Sequence, residues 1–244
     1  MGCKDPYRRL GSGCASTCKR QMYSQARCLF VRCDTPRNAH HVTVAWALIE
    51  QSSDSPRRAI ETACVALGLA PPREVAHLCP RCGSGGHGRP FAPGRSDLCL
   101  SLTRTSGVVA AAVGTGLGVG IDVERVDGAR WSGLGDAMLH PDETASSIHD
   151  LAVTWTRKEA VLKALGVGLS LDPRNVQLGP AAEAARVLAL PAGYEAARMR
   201  LLDLVLSPTL VGALAVIVEG WDREVSVVAA VAGRSREAKP GRGR

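Results

Sequence analysis

A chain of 244 residues can bury most of the surface that its unfolded form exposes, so folding requires neither a disulfide framework nor a metal staple. With 45% hydrophobic, 22% charged and only 4% aromatic residues, the composition excludes a highly charged disordered chain and points to a core of Ala, Val and Leu. The net charge of +7 resides in the two ends. Residues 1–41 hold eight Lys/Arg and two Asp/Glu, residues 234–244 hold five and one, and residues 42–233 hold seventeen and twenty. A nucleic-acid-binding fold would carry its basic stripe on the folded body, and this body is slightly acidic. The expectation is therefore no nucleic acid and no membrane. The longest charge-free stretches, Gly107 to Ile121 and Leu204 to Val218, are shorter than the ~20 apolar residues of a membrane span.

Residues 1–41 lack hydrophobic periodicity and contain five of the nine cysteines; they read as a disordered, basic, Cys-rich extension. No apolar export segment opens the chain, so a cytoplasmic location with reduced thiols is expected. Val42 to Leu48 alternates as a strand, and Ser55-Pro56 opens a helix from Arg57 to Leu67 that stops at Gly68. A loop follows from Cys79 through several glycines and His87 to Pro93. Strands are predicted at Leu98 to Thr103, Val108 to Val113 and Val119 to Val126. Pro141-Asp142-Glu143 reads as a helix start, with helix running to Leu165 before Gly166 and Gly168. Further strands are expected near Arg198 to Leu206, Thr209 to Val218 and Val225 to Val231, and residues 234–244 read as a disordered basic tail. Each half is helix and then strands. The segment 101–113 loosely resembles 205–218, which suggests a repeat.

Two segments could carry chemistry. In GVGIDVERV, residues 118–126, Asp122 and Glu124 are two apart on a strand, so both carboxylates emerge on one face while Ile121 and Val123 take the other. A divalent cation such as Mg²⁺ would relieve their repulsion; an alternating strand with a solvated edge fits the same pattern. In WTRKEAVLKALG, residues 155–166, helical spacing gathers Leu151, Trp155, Val161, Leu162 and Leu165 into an apolar arc. Glu159 and Lys163 stack at i, i+4 beside it, as a binding pair or as an ordinary helical ion pair; Thr156 and Glu159 also fit a capping box. Lys158 lies within the arc, where a lysine must snorkel or meet a buried anion such as a phosphate.

The Asp122-Val123-Glu124 strand, followed some thirty residues later by Trp155, Lys158-Glu159 and Lys163, resembles the 4′-phosphopantetheinyl transferases of the surfactin-synthetase-activating type. Gly88-Arg89-Pro90 and the Ser101 to Thr105 segment lie upstream in the order that family uses. The resemblance implies an α+β chain of two similar halves related by pseudo-twofold symmetry, 42–117 and 118–233, with coenzyme A and Mg²⁺ in the cleft between them. It implies Mg-dependent transfer of the phosphopantetheine arm to a serine of an apo acyl or peptidyl carrier protein, releasing 3′,5′-ADP, by a monomer of holo-acyl-carrier-protein synthase type. Asp122, Glu124 and Glu159 would be the metal ligands. Glu159 would also be the base, and Lys163 would steady the pyrophosphate. Arg89, Pro90, Thr103, Arg104, Asp122, Lys158 and Lys163 would meet the coenzyme, with Arg104 standing where the family commonly has a histidine. Arg57 and Arg58 are additional cations for the cleft or solvated surface.

The competing reading is a non-enzymatic basic module for nucleic acid or anionic membrane, with a zinc loop at Cys79-x-x-Cys82, where His77 and His87 are close in sequence. That loop lacks a second Cys/His pair at conventional spacing. A thiol-rich loop without metal is the simpler expectation.

Overall fold

The computed structural model describes residues 42–50, 52, 55–79, 81–115, 118–131, 133–204, 206–218 and 225–231. The extension expected at 1–41 and the tail expected at 234–244 lie outside them. Among the described residues no helix is long and apolar enough to cross a membrane.

The chain is a mixed α+β structure with several sheets and few helices. It begins with β1 (Val42–Glu50), α1 (Ser55–Ala66), a hairpin of β2 (Ala76–Leu78) and β3 (Arg89–Phe91), then β4 (Cys99–Thr105) and β5 (Val108–Gly114). There follow β6 (Gly118–Arg125), the short helices α2 (Gly128–Trp131) and α3 (Gly135–Met138), and α4 (Ile148–Leu165). The chain continues through β7 (Gln177–Leu178), β8 (Val187–Ala189), β9 (Met199–Asp203), β10 (Leu210–Ile217) and β11 (Val225–Val231). The first sheet has the order β11-β1-β5-β4 and the second β6-β10-β9. Without β11 the two read alike: a strand, a helix, then an antiparallel pair whose later strand occupies the centre. β11, expected with the second half, instead pairs in parallel with β1, Val42 opposite Val225 through Leu48 opposite Val231.

Period-two alternation sorts the side chains into layers. On one face of the first sheet, Ala45, Ala47, Leu100, Val109, Ala111 and Val113 pack against Ala59, Ile60, Ala63 and Cys64 of α1. On its other face, Val44, Trp46, Ala110 and Ala112 meet Val119, Ile121, Val123, Leu214 and Val216 of the second sheet. The far face of that sheet, with Ala213, Ala215, Met199 and Leu201, receives Ala160, Val161, Leu162 and Ala164 of α4. Layers of helix, sheet, sheet and helix result. β5, covered on both sides, is buried along its whole length, which explains its uninterrupted apolar sequence.

α4 starts later than its Pro141 signal predicts. Ser147 caps it, its Oγ accepting from the Asp150 N–H at 3.1 Å, while Asp150 accepts from the Ser146 N–H at 2.9 Å. Pro141-Asp142-Glu143 forms a turn instead, because the Glu143 carboxylate is committed to tertiary bonds described below. The helix ends at Gly166, whose φ of 75° is the left-handed conformation of a C-terminal cap.

Candidate active site

Two glycines set the position of α4. Gly118, Gly120, Asp122 and Glu124 share the face of β6 opposite Ile121 and Val123. A β-carbon added at Gly120 would lie 1.9 Å from the Ala160 carbonyl oxygen, and one at Gly118 would lie 2.5 Å from that of Ala164. The helix backbone therefore rests directly on the strand. This contact places Glu159 and Lys163 of α4 beside the carboxylates that emerge where the glycines end.

Asp122 is buried. Its Oδ1 accepts from Thr103 Oγ1 at 2.8 Å and from Lys163 Nζ at 2.6 Å. Lys163 also donates to the Ile121 carbonyl at 3.2 Å and keeps 25% of its side chain exposed. Glu124 is gripped by both terminal nitrogens of Arg130, Nη2 to Oε1 at 2.7 Å and Nη1 to Oε2, and accepts from Thr105 Oγ1 at 3.1 Å. Burial pushes the Glu124 pKa up against the opposing pull of Arg130. Glu159 is raised to about 7, first by burial and then by the charges of Asp122 and Glu124, with Lys163 and Arg130 opposing. The expected Glu159–Lys163 pair does not form, because Lys163 turns across the helix–strand contact to Asp122.

Asp122 Oδ2 and Glu159 Oε1 are buried and accept no hydrogen bond. A carboxylate oxygen held out of water without a donor is costly, and a cation is the partner such oxygens lack. Mg²⁺ binds through one or two carboxylates together with water and phosphate oxygens, so this pair is a donor set that it accepts. The residues fit the ion. Glu124 fits less directly, since it would have to exchange Arg130 for the metal.

The first sheet contributes through one edge. Ser101, Thr103 and Thr105 alternate onto the face of β4 that meets β6, where Ser101 Oγ accepts from the Ile121 N–H at 3.0 Å. Arg104 falls on the opposite face. It is exposed and occupies the row of Val109 and Ile49, one residue before the chain leaves β1 toward α1. The structure thus separates Thr103 from Arg104. Arg89 lies against the end of α4, where a β-carbon on Gly166 would meet its Nη1 at 2.9 Å; Pro90 pairs with His77 in the hairpin. Arg57 pairs with Glu61 at 2.7 Å within α1.

Lys158 requires correction. Its side chain is fully buried, and its ammonium donates to Glu143 at 2.7 Å, to the Pro173 carbonyl at 2.9 Å and to the Val176 carbonyl at 2.7 Å. All three donors are used. The anion its position demands is a carboxylate of the protein, so no hydrogen on Lys158 is left for a coenzyme phosphate. Burial still pulls its pKa down, with Glu143 opposing. Glu143 completes the knot by accepting from the Leu178 and His140 N–H groups at 2.7 and 2.8 Å. Thr156 is no cap either: its hydroxyl donates within the helix to Ala152 and Val153. The apolar arc also differs, since α4 is covered on several sides. Leu151, Trp155 and Leu165 are only half-buried, whereas Arg157 is buried and forks onto Asp203 at 2.8 and 2.7 Å.

Sequence reasoning misses Arg130 and Glu143. A four-residue helix carries no periodicity that would aim Arg130 at Glu124, and Glu143 resembles an ordinary first-turn glutamate. Thr105 was within reach, being two residues from Thr103 on a strand. A cavity of about 620 Å³ lined by Gly135, His140, Glu143, Asp172 and Arg174 adjoins the Glu143–Lys158 pair and includes none of Asp122, Glu124, Glu159 or Lys163. This hollow lies apart from the unpaired carboxylate oxygens.

Residues 118–202 match the model of the 4′-phosphopantetheinyl transferase superfamily. The match opens on the first residue of β6 and closes within β9, so it spans Asp122, Glu124, Glu159 and Lys163 together with the glycines that seat α4. Arg89, Thr103 and Arg104 lie outside it. This match suggests a transferase that uses coenzyme A and modifies carrier proteins. No curated protein matches the chain.

Proposed function

We propose that this protein is a Mg-dependent 4′-phosphopantetheinyl transferase of the surfactin-synthetase-activating type, acting on apo acyl or peptidyl carrier proteins. One observation carries the reading: two buried carboxylate oxygens without donors, on β6 and α4, beside Lys163 and inside the superfamily segment. Asp122 and Glu159 would hold the ion, with Glu124 joining if Arg130 releases it. When bound, the ion neutralises charge on the coenzyme A pyrophosphate.

The protein's own groups supply the remainder. The carrier serine oxygen forms a bond to the β-phosphorus of coenzyme A while the bond from that phosphorus to the bridging pyrophosphate oxygen breaks. The serine proton passes to a Glu159 oxygen. A pKa of about 7 suits a group that must be unprotonated before the step and basic enough to take a proton during it. Lys163, partly exposed and with one hydrogen beyond its bonds to Asp122 and the Ile121 carbonyl, meets the charge that develops on departing 3′,5′-ADP. Thr103 orients Asp122. Arg89 at the end of α4 and Arg104 on the α1 side of the first sheet would serve the coenzyme's remaining phosphate and nucleotide.

The shared strand order of β1-β5-β4 and β6-β10-β9 supports two halves, 42–117 and 118–233, related by pseudo-twofold symmetry, with β11 of the second completing the sheet of the first. A cytoplasmic monomer accords with this reading. The test is incubation with coenzyme A, Mg²⁺ and a panel of apo carrier proteins, reading intact carrier mass. Gain of one phosphopantetheine on the carrier serine, abolished by chelation, is the expected result. No gain on any carrier, with coenzyme A binding absent, would overturn it.

A further inference from the structure

We propose that Cys79, Cys82 and His87 bind one zinc ion, with water in the fourth position. The three residues lie in the loop of the β2–β3 hairpin, and their ligand atoms are all within 4.8 Å of one another. Cys82 Sγ and His87 Nε2 are 3.3 Å apart. Bonds of ~2.3 Å to sulfur and ~2.0 Å to nitrogen at a tetrahedral angle separate such ligands by about 3.5 Å, so the loop already holds this edge of the coordination sphere at its working length.

The backbone is shaped around Cys79. The Gly83 N–H donates to the Cys79 carbonyl at 2.8 Å and the Cys79 N–H to the Ser84 carbonyl at 3.0 Å, with Gly83 in the left-handed conformation at φ 71°. Gly88 then closes the loop: at φ 104°, a β-carbon there would lie 2.4 Å from the Leu78 carbonyl oxygen. Strands of three residues cannot by themselves hold such a loop. Sulfur and imidazole donors select zinc over the oxygen-seeking Mg²⁺. His77, paired with Pro90 in the strands, is outside the cluster, and the exposure of Cys82 and His87 opens the fourth position to water. The ion would fix the hairpin immediately before Arg89, which rests on the end of α4.

The proposal is independent of the transferase reading, and its test needs no turnover. The full chain, isolated under reducing conditions without chelator, should carry zinc by elemental analysis and native mass spectrometry. Cys82→Ser and His87→Ala should each remove one equivalent or weaken binding beyond the ~10- to 100-fold that loss of an outer partner costs; His87→Cys should retain it. His77→Ala, Cys64→Ser and joint Cys→Ser replacement at positions 3, 14, 18, 28 and 33 should leave that equivalent in place. Should Cys82→Ser fail to fold, titration of the intact wild type with a thiol-specific mercurial provides the reading, zinc leaving as two thiols react. Co²⁺ added to the zinc-free chain should give sulfur-to-metal absorption that halves when one of the two cysteines is replaced. A metal-free chain, a stoichiometry unchanged by His87→Ala and Cys82→Ser together, or an isolated chain with Cys79 and Cys82 joined as a disulfide would overturn it.

Discussion

The two helix-on-sheet halves share a strand order and differ in what lies between helix and strand. Beneath α1, β1 presents Ala45, Ala47 and Ile49 to Ala59, Ile60, Ala63 and Cys64, an apolar contact. Beneath α4, β6 presents Gly118, Gly120, Asp122 and Glu124. Two residues without side chains let the backbones touch, and the next two positions carry carboxylates into the space beyond. The first interface does structural work with small apolar side chains. The second uses close backbone contact to hold charged groups at fixed range, where burial raises Glu159 to about 7. One architecture thus yields two different helix–strand contacts through the choice of four residues on one strand face.

The largest break in this comparison comes at Gly120. Gly120→Val places branched carbons where a single β-carbon would already be 1.9 Å from the Ala160 carbonyl, and backbone cannot yield as a side-chain tip can. We expect loss of at least ~3 kcal/mol, the upper range for overpacking, measured by denaturant unfolding, with transfer abolished. Ala45→Gly on the corresponding face of β1 should cost only about 1 kcal/mol. Equal effects at the two positions would refute the distinction.

Next come the carboxylates. Asp122→Ala or Glu159→Ala should lower transfer at least ~10²-fold, since each removes a metal contact or a general base. Native folding, followed by circular dichroism, should persist. Near-normal turnover in either variant would remove that residue from the site.

Glu159 also makes a prediction about stability with opposite sign. Its folded pKa is raised from 4.5 to about 7, so below pH 4.5 both states are protonated and the group contributes nothing. Between pH 4.5 and 7 the unfolded chain releases its proton first, so stability falls with rising pH, and the full cost is present above 7. Glu159→Gln stays neutral throughout. With chelator present, its unfolding free energy should exceed that of the wild type by up to ~3 kcal/mol at pH 8, following ~1.4 kcal/mol per pKa unit, and match it at pH 4. Added Mg²⁺ should stabilise the wild type and not the variant. A variant no more stable than wild type at pH 8 would show that Glu159 is not held in costly surroundings.

Much of this interface was legible in the sequence for a physical reason: side-chain direction in a strand depends only on parity, and in a helix only on 100° steps. Asp122 and Glu124 on one face, Glu159 near Lys163, and the stop at Gly166 all follow locally. The partners did not, because they are set by which elements meet. Lys158 illustrates the limit. Its place among apolar residues correctly demanded an anion, but the anion is Glu143, fifteen residues upstream in a turn that resembles a helix start. The return of β11 to β1 likewise depends on which edge of the first sheet is open, and no periodicity encodes that.

The smallest expected effect concerns the cation on β4, Arg104. Thr103 turns to Asp122, so period-two geometry sends Arg104 to the α1 side, away from the carboxylates. If it serves coenzyme A, it does so at a distance from the transferred phosphorus, and its contribution belongs to binding and not to the chemical step. Arg104→Ala should therefore raise the KM for coenzyme A about tenfold, as loss of one charge-assisted contact on an exposed surface allows, while kcat stays within a factor of about two. Arg104→His should recover binding in part, and better at pH 6 than at pH 8, since imidazole is cationic only below its ordinary pKa of ~6.5. A fall in kcat with KM unchanged would place Arg104 with Lys163 and make the first half a participant in the chemistry, erasing the division of labour drawn above.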